Sequence, residues 1–264
     1  MTNAEAMKFG FFSPSEIYDG RWWSLITSAF CHVEITHIFF NMYWLWILGP
    51  VIERQFGAIN FLAFMIGTAF ISSGWQLATG HSGIGFSGVG YAIIGFGWIV
   101  REKYPNLKPY FSDRTLRIFA GWAVLCVVLT FAKVWNIGNV AHIMGAVAGA
   151  IAGLMFVKKP WLPAIGLLVL SVCAIIPVYW SPQSADWNFE KGYKTNDRKD
   201  PDTAIRFYRR SIELELDDSA PYRNIALIEA QQGRVKEFKQ ALEALRKVSP
   251  KQADELAKDF AEPR

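Results

Sequence analysis

The chain has 264 residues, of which 52% are apolar and 15% aromatic, with 27 Lys+Arg against 23 Asp+Glu. Dividing the charges at residue 183 leaves 11 basic and 7 acidic residues before it and 16 of each after it, so the whole +4 belongs to the first part. That distribution excludes an ordinary soluble enzyme and a nucleic-acid-binding patch, and describes an integral membrane protein followed by a soluble tail.

In chain order, apolar stretches near 35–53, 59–79, 86–101, 115–134, 139–157 and 161–180 approach the roughly 20 residues a bilayer core requires, giving six candidate crossings. Lipid offers no partner for a backbone amide, so these stretches are expected to be helices, with Pro50, Pro163 and Pro177 marking poorly ordered ends. Arg54, Arg101, Lys103, Lys108, Arg114, Arg117, Lys158 and Lys159 fall on one side; only Lys8, Arg21 and Lys133 fall on the other. By the positive-inside rule the first side is cytoplasmic, which puts the N-terminus, the 75–85 loop, the 135–140 loop and the C-terminal tail outside. Cys31, Cys126 and Cys173 are isolated and odd in number, with neither a metal spacing nor a disulfide pattern.

Two side chains stand out in this apolar setting: Ser87, within Gly85-Phe86-Ser87-Gly88, and His142, near the start of a helix of small residues. The topology sets both at a similar depth below the outer surface. A serine hydroxyl becomes a nucleophile when a base removes its proton, and a histidine is suited both to do so and to protonate the leaving amine later. Attack on a carbonyl also needs donors for the developing oxyanion. Asn41 and His37, four residues apart on one helical face, and the Ser87 backbone N–H are of the right type. Acidic residues are nearly absent from the spans, so the pattern points to a Ser-His dyad and needs no metal and no cofactor. Gly145, Gly149 and Gly153 recur every four residues and cut a groove beside His142, into which the Gly-rich helix of Ser87, with Gly88, Gly90, Gly95 and Gly97, is expected to pack. Taken singly, each residue has a plainer reading: Ser87 as helix-packing glue, His37 and Asn41 as interhelical bonds, His81 as a solvated loop residue.

Together these motifs resemble the rhomboid family of intramembrane serine proteases over residues 20–157. Gly85 to Gly88 is similar to the family's nucleophile motif, Ala141 to Gly149 to its base helix, and His37 to Asn41 to its His-x-x-x-Asn segment. His32 matches a further family histidine, Tyr91 the tyrosine against which the catalytic histidine packs, and Glu53 an acidic position at the end of the first span here. The resemblance implies an all-α polytopic bundle in the lipid bilayer that cleaves transmembrane protein substrates. Its site residues would be Ser87 and His142, with Asn41 and His37 on the oxyanion and Tyr91, His32, Gly85 and Gly145 in support. Two departures stand against it. No long apolar stretch precedes the loop in residues 1–20, where the family has a helix, which suggests a truncated chain or a misassigned initiator; and Ser24 in Arg21-Trp22-Trp23-Ser24 stands where the family usually has arginine.

The expected organisation is an external loop and membrane entry at 1–34, a catalytic core at 35–157, an additional crossing at 158–182 and a tail at 183–264. In the tail, Ala204, Tyr208 and Ser211 recur 34 positions later as Phe238, Leu242 and Leu245, similar to a tetratricopeptide helix pair, with a small helical bundle as the competing form. Its balanced charge suits a protein partner. The expected setting is a bacterial plasma membrane with the tail extracytoplasmic. A catalytically silent relative that holds transmembrane clients, with the tail as adaptor, and a small transporter remain as alternatives.

Overall fold

A computed structural model of the chain describes residues 10, 13–32, 34–216 and 218–261, and among them every regular element is helical. Most of residues 1–12, and with them much of the segment expected to begin the external loop, lie outside the described residues. The chain forms two compact units that divide between Trp180 and Ser181.

The first unit opens with two short helices, α1 (Pro14–Tyr18) and α2 (Ser24–Thr27). Arg21 pairs with Glu16 at 2.5 Å, and Glu16 Oε2 accepts the Ser13 N–H at 3.1 Å, so this stretch is closed by its own polar groups. Among the described residues five helices are long and apolar enough to cross a membrane: α3 (Ile35–Phe56), α4 (Ala58–Leu77), α6 (Asp113–Phe131), α7 (Asn139–Val157) and α8 (Trp161–Tyr179). Two details differ from the sequence expectation. Pro50 does not end α3, which continues for six residues beyond it, because a missing N–H removes one bond from a helix whose other backbone groups have no better partner in lipid. The chain reverses instead at Gly57, whose φ of +88° suits glycine alone.

The stretch expected as a crossing at 86–101 is the shorter helix α5 (Ser87–Val100), 14 residues or roughly 21 Å, against a hydrocarbon core of roughly 30 Å. It is nevertheless the centre of the unit. Val89, Tyr91, Ala92, Ile93, Ile94, Phe96 and Val100 are all buried, whereas α6 buries only Phe119 and Cys126 and turns the rest of its apolar surface outward. In a membrane protein this asymmetry identifies α5 as the protein-facing helix and α6 as a lipid-facing one.

Close backbone approach sets α5 against α7. A Cβ at Gly149 would lie 1.9 Å from Ala92 O, one at Gly145 2.1 Å from Gly88 O, and one at Gly95 2.1 Å from Ala146 O. The glycines of α5 do not form one face, however. Gly88 and Gly95 are seven residues apart and share a side; Gly90 and Gly97 are turned about 180° away by the 3.6-residue repeat. Gly97 accommodates the Phe111 ring, and Gly90 has open space.

The second unit contains α9 (Ala185–Asp197), α10 (Pro201–Glu213), α11 (Ala220–Gln231), α12 (Val235–Val248) and α13 (Pro250–Ala261). Its boundaries carry ordinary cap chemistry. Ser184 Oγ accepts from Trp187 N and Asp200 Oδ1 from Thr203 N, both at 3.2 Å, and Pro201 follows at the first helical position. Ala204, Ile205, Tyr208, Ile225 and Ile228 form one apolar cluster, and Ala226, Leu245, Ala253 and Leu256 a second. Gly192 lies beneath the Tyr208 ring, where a Cβ would come within 2.8 Å. Pro250 both stops α12, after Ser249, and begins α13.

Candidate active site

Ser87 is the first residue of α5, and the turn that delivers it depends on Gly85. That residue has φ +100°, and a Cβ on it would lie 2.3 Å from His37 Cε1, so both backbone and space require glycine. Gly85 N–H donates to Ser28 O at 3.0 Å, and Phe86 N–H donates to His32 Nε2 at 3.3 Å. The loop before the serine is thereby tied to the segment that precedes α3.

His142, in the first turn of α7, is 6% exposed, and its Nε2 lies 2.8 Å from Ser87 Oγ. The imidazole stacks on Tyr91 with ring centroids 4.6 Å apart and an interplanar angle of 23°. Tyr91 is held in turn by an O–H donated to Phe119 O at 3.1 Å. His142 Nδ1 is buried and has no hydrogen-bond partner among the described residues, so the stack, not a carboxylate, orients the ring.

His32 is pinned more tightly than its sequence position suggests. Phe86 N–H can only donate, so His32 Nε2 must carry its lone pair there, which places the Asn41 amide, at 2.8 Å, as a second donor to it. Burial first, and the His37 ring second, lower the pKa of His32, in keeping with this neutral form. The His32 and His37 rings meet edge to face at 4.9 Å. Asn41 therefore has one N–H occupied by His32 and a second available elsewhere.

Ser87 and Asn41 open onto one cavity of about 290 Å³, lined also by Phe40 and Trp44 of α3, Tyr91 of α5, and Phe119 and Trp122 of α6. Its aromatic walls touch across α3 and α6, Trp44 with Phe119 at 4.8 Å and Phe40 with Trp122 at 5.8 Å. His37 is not part of the cavity wall; it packs behind the Gly85 turn. Gly145 faces Gly88 O, next to the serine. Among the described residues no cluster of His, Cys, Asp and Glu is arranged to hold a metal ion.

The Rhomboid domain family model matches residues 19–159, just over half of the chain. The chain belongs to the rhomboid family. With five apolar helices of crossing length among its described residues, it is a multi-pass integral membrane protein of that family. Among its relatives, rhomboid-like protease 1 of Toxoplasma gondii is 25% identical over 194 residues, covering 66% of this chain and 64% of that protein. Rhomboid protease GlpG of Serratia proteamaculans is 33% identical over 131 residues, and the protein of that name from Yersinia pestis is 31% identical over 131 residues, each match covering 48% of this chain and 45% of the relative. The chain thus spans between about half and two thirds of the length of these relatives.

Two groups of residues at the site carry little signal in the sequence. Trp44, Phe119 and Trp122 were indistinguishable from other lipid-facing aromatics, since nothing in a span's composition tells which ring faces a cavity. Ser72 and Gln76 of α4, four residues apart at the end of an apolar stretch, carried a helical-spacing signal that could have been read as one polar face.

Proposed function

We propose that the chain is an intramembrane serine endopeptidase in which Ser87 is the nucleophile and His142 the general base. The observation that carries this reading is the 2.8 Å approach of Ser87 Oγ to His142 Nε2 at the head of a helix too short to cross. Charged Arg101, Glu102 and Lys103 follow the far end of α5, so the serine lies about 10 Å inside the hydrocarbon layer on the opposite side. A reactive pair at that depth suits a peptide bond in or near a transmembrane segment.

In this mechanism the Ser87 Oγ–H proton passes to His142 Nε2 as Oγ bonds to the carbonyl carbon. The C=O electron pair moves onto oxygen. The Ser87 N–H, which has no acceptor within its own helix, and the free N–H of Asn41 are the donors proposed for that oxyanion. His37 has an indirect part, holding the Gly85 turn and the His32 ring. Collapse breaks the C–N bond, the amine leaves with the proton from His142, and water, activated by the same imidazole, releases the acyl group from Ser87. A transmembrane substrate would enter between α3 and α6, where the cavity is bounded by side chains rather than backbone.

For the remainder of the chain we read 35–157 as the catalytic core, 158–182 as the additional crossing and 183–264 as a soluble extracytoplasmic domain of tetratricopeptide type that binds a protein partner. The support is the near-repeat of helix pairs: Gly192 beneath Tyr208 in the first pair corresponds, 34 residues on, to Ala226 and Leu242, which share one apolar cluster in the second.

Reconstitution of the purified protein in vesicles with a single-span substrate tests the reading. Two products whose new termini map by mass spectrometry to the outer half of the substrate's membrane segment are expected. An intact substrate, under conditions where it binds, would favour the silent scaffold.

A further inference from the structure

The last two turns of α4 touch both reacting helices beside their reactive residues. Ser72 and Gln76 share one face of α4 and are both buried, Gln76 to 7% exposure. A Cβ at Gly88, next to Ser87, would lie 2.6 Å from Ser72 Oγ. Gln76 Oε1 accepts the N–H of Ala141, next to His142, at 3.2 Å. Ala141 is the third residue of α7, where an N–H has no acceptor within its own helix, so this side chain supplies the acceptor that the helix does not.

The orientation of the amide follows from its partners. Thr79 Oγ1 donates its hydrogen to Gln76 O at 2.7 Å and must therefore accept from Gln76 Nε2, 3.1 Å away. That leaves Oε1 directed at α7, as the Ala141 N–H requires. The preceding two residues anchor the turn on α8: Trp75 Nε1 donates to Leu170 O at 3.2 Å, and a Cβ at Gly74 would lie 2.4 Å from Ala174 O.

From this arrangement we propose that Gln76 is a positioning residue for His142, fixing the first turn of α7 so that the imidazole meets Ser87 Oγ. The inference rests on the reading of Ser87 and His142 as the reacting pair. Gln76→Met keeps the volume and removes the acceptor; Gln76→Glu, as the protonated acid, keeps an acceptor oxygen for Ala141 and an O–H for Thr79 Oγ1. In the full-length protein, hydrogen exchange at the Ala141 amide is expected to quicken roughly tenfold in Gln76→Met and to stay protected in Gln76→Glu. Turnover of a transmembrane substrate should fall roughly tenfold in kcat for Gln76→Met at unchanged KM, with recovery in Gln76→Glu, since a displaced base slows the chemical step rather than binding.

An unchanged Ala141 exchange rate in Gln76→Met, or a loss expressed only in KM, overturns the proposal. If Gln76→Met does not fold, Thr79→Val carries the same test by freeing the amide to turn; unaltered exchange and kcat there overturn it equally. Ser87→Ala measured alongside separates the two levels. Full cleavage by Ser87→Ala removes the catalytic reading, whereas no cleavage by Ser87→Ala together with wild-type exchange and kcat in Gln76→Met removes this inference alone.

Discussion

Ser87→Ala and His142→Ala should each lower cleavage of a transmembrane substrate by about 10⁴-fold or more, and the double variant should be no slower than either single one. The non-additivity is the informative part. In the proposed mechanism Ser87 and His142, 2.8 Å apart, work only as a pair, so once one member is lost the other has nothing to act on. Were the two losses to multiply, the residues would be acting independently. Folding of each variant is expected to survive, because Ser87 loses a single hydroxyl facing a cavity. His142→Ala removes the ring that Tyr91 stacks on, and its thermal stability should fall more than that of Ser87→Ala.

Gly149→Leu should destabilise the membrane unit by about 3 kcal/mol or more, read as a lowered melting temperature in detergent and loss of monodisperse protein. At Gly149 the first added carbon already falls 1.9 Å from Ala92 O and 2.6 Å from Ala92 C, and backbone cannot turn aside as a side chain can. α5 and α7 must therefore separate, and their separation also parts Ser87 from His142. Gly67→Leu on α4 is the control, because nothing lies within 4 Å of a Cβ there. Equal melting of the two variants would mean that the α5–α7 contact is not what holds the site in register.

How far these features can be read from sequence depends on whether the signal is local. Ser87 and His142 were legible because glycine spacing and polarity within a span are unusual together, and the pair meets as that pattern implied. The glycines of α5 are less legible: four lie close together in sequence, but helical phase sends Gly90 and Gly97 to the far side, a distinction that counting glycines does not make. Pro50 was misread because a rule for helix ends in water has less force where the alternative to helix is unpaired backbone in lipid. His37 was assigned to the oxyanion by spacing to Asn41, yet only coordinates reveal that its ring fills the concavity of the Gly85 turn. Gln76 was missed because its partner, Ala141 N–H, is 65 residues away and invisible to any local pattern. The shortness of α5 was already legible, since the helix fills nearly all of the stretch expected at 86–101, between the polar Gly80-His81-Ser82-Gly83 segment and Arg101.

Labelling by a serine-directed fluorophosphonate, followed by peptide mapping, tests the central claim most directly, since it asks for a nucleophilic hydroxyl without requiring the natural substrate. A single adduct on Ser87 that disappears in His142→Ala is the predicted result. A folded protein that stays unlabelled, or one in which Ser87 reacts equally without His142, would contradict it.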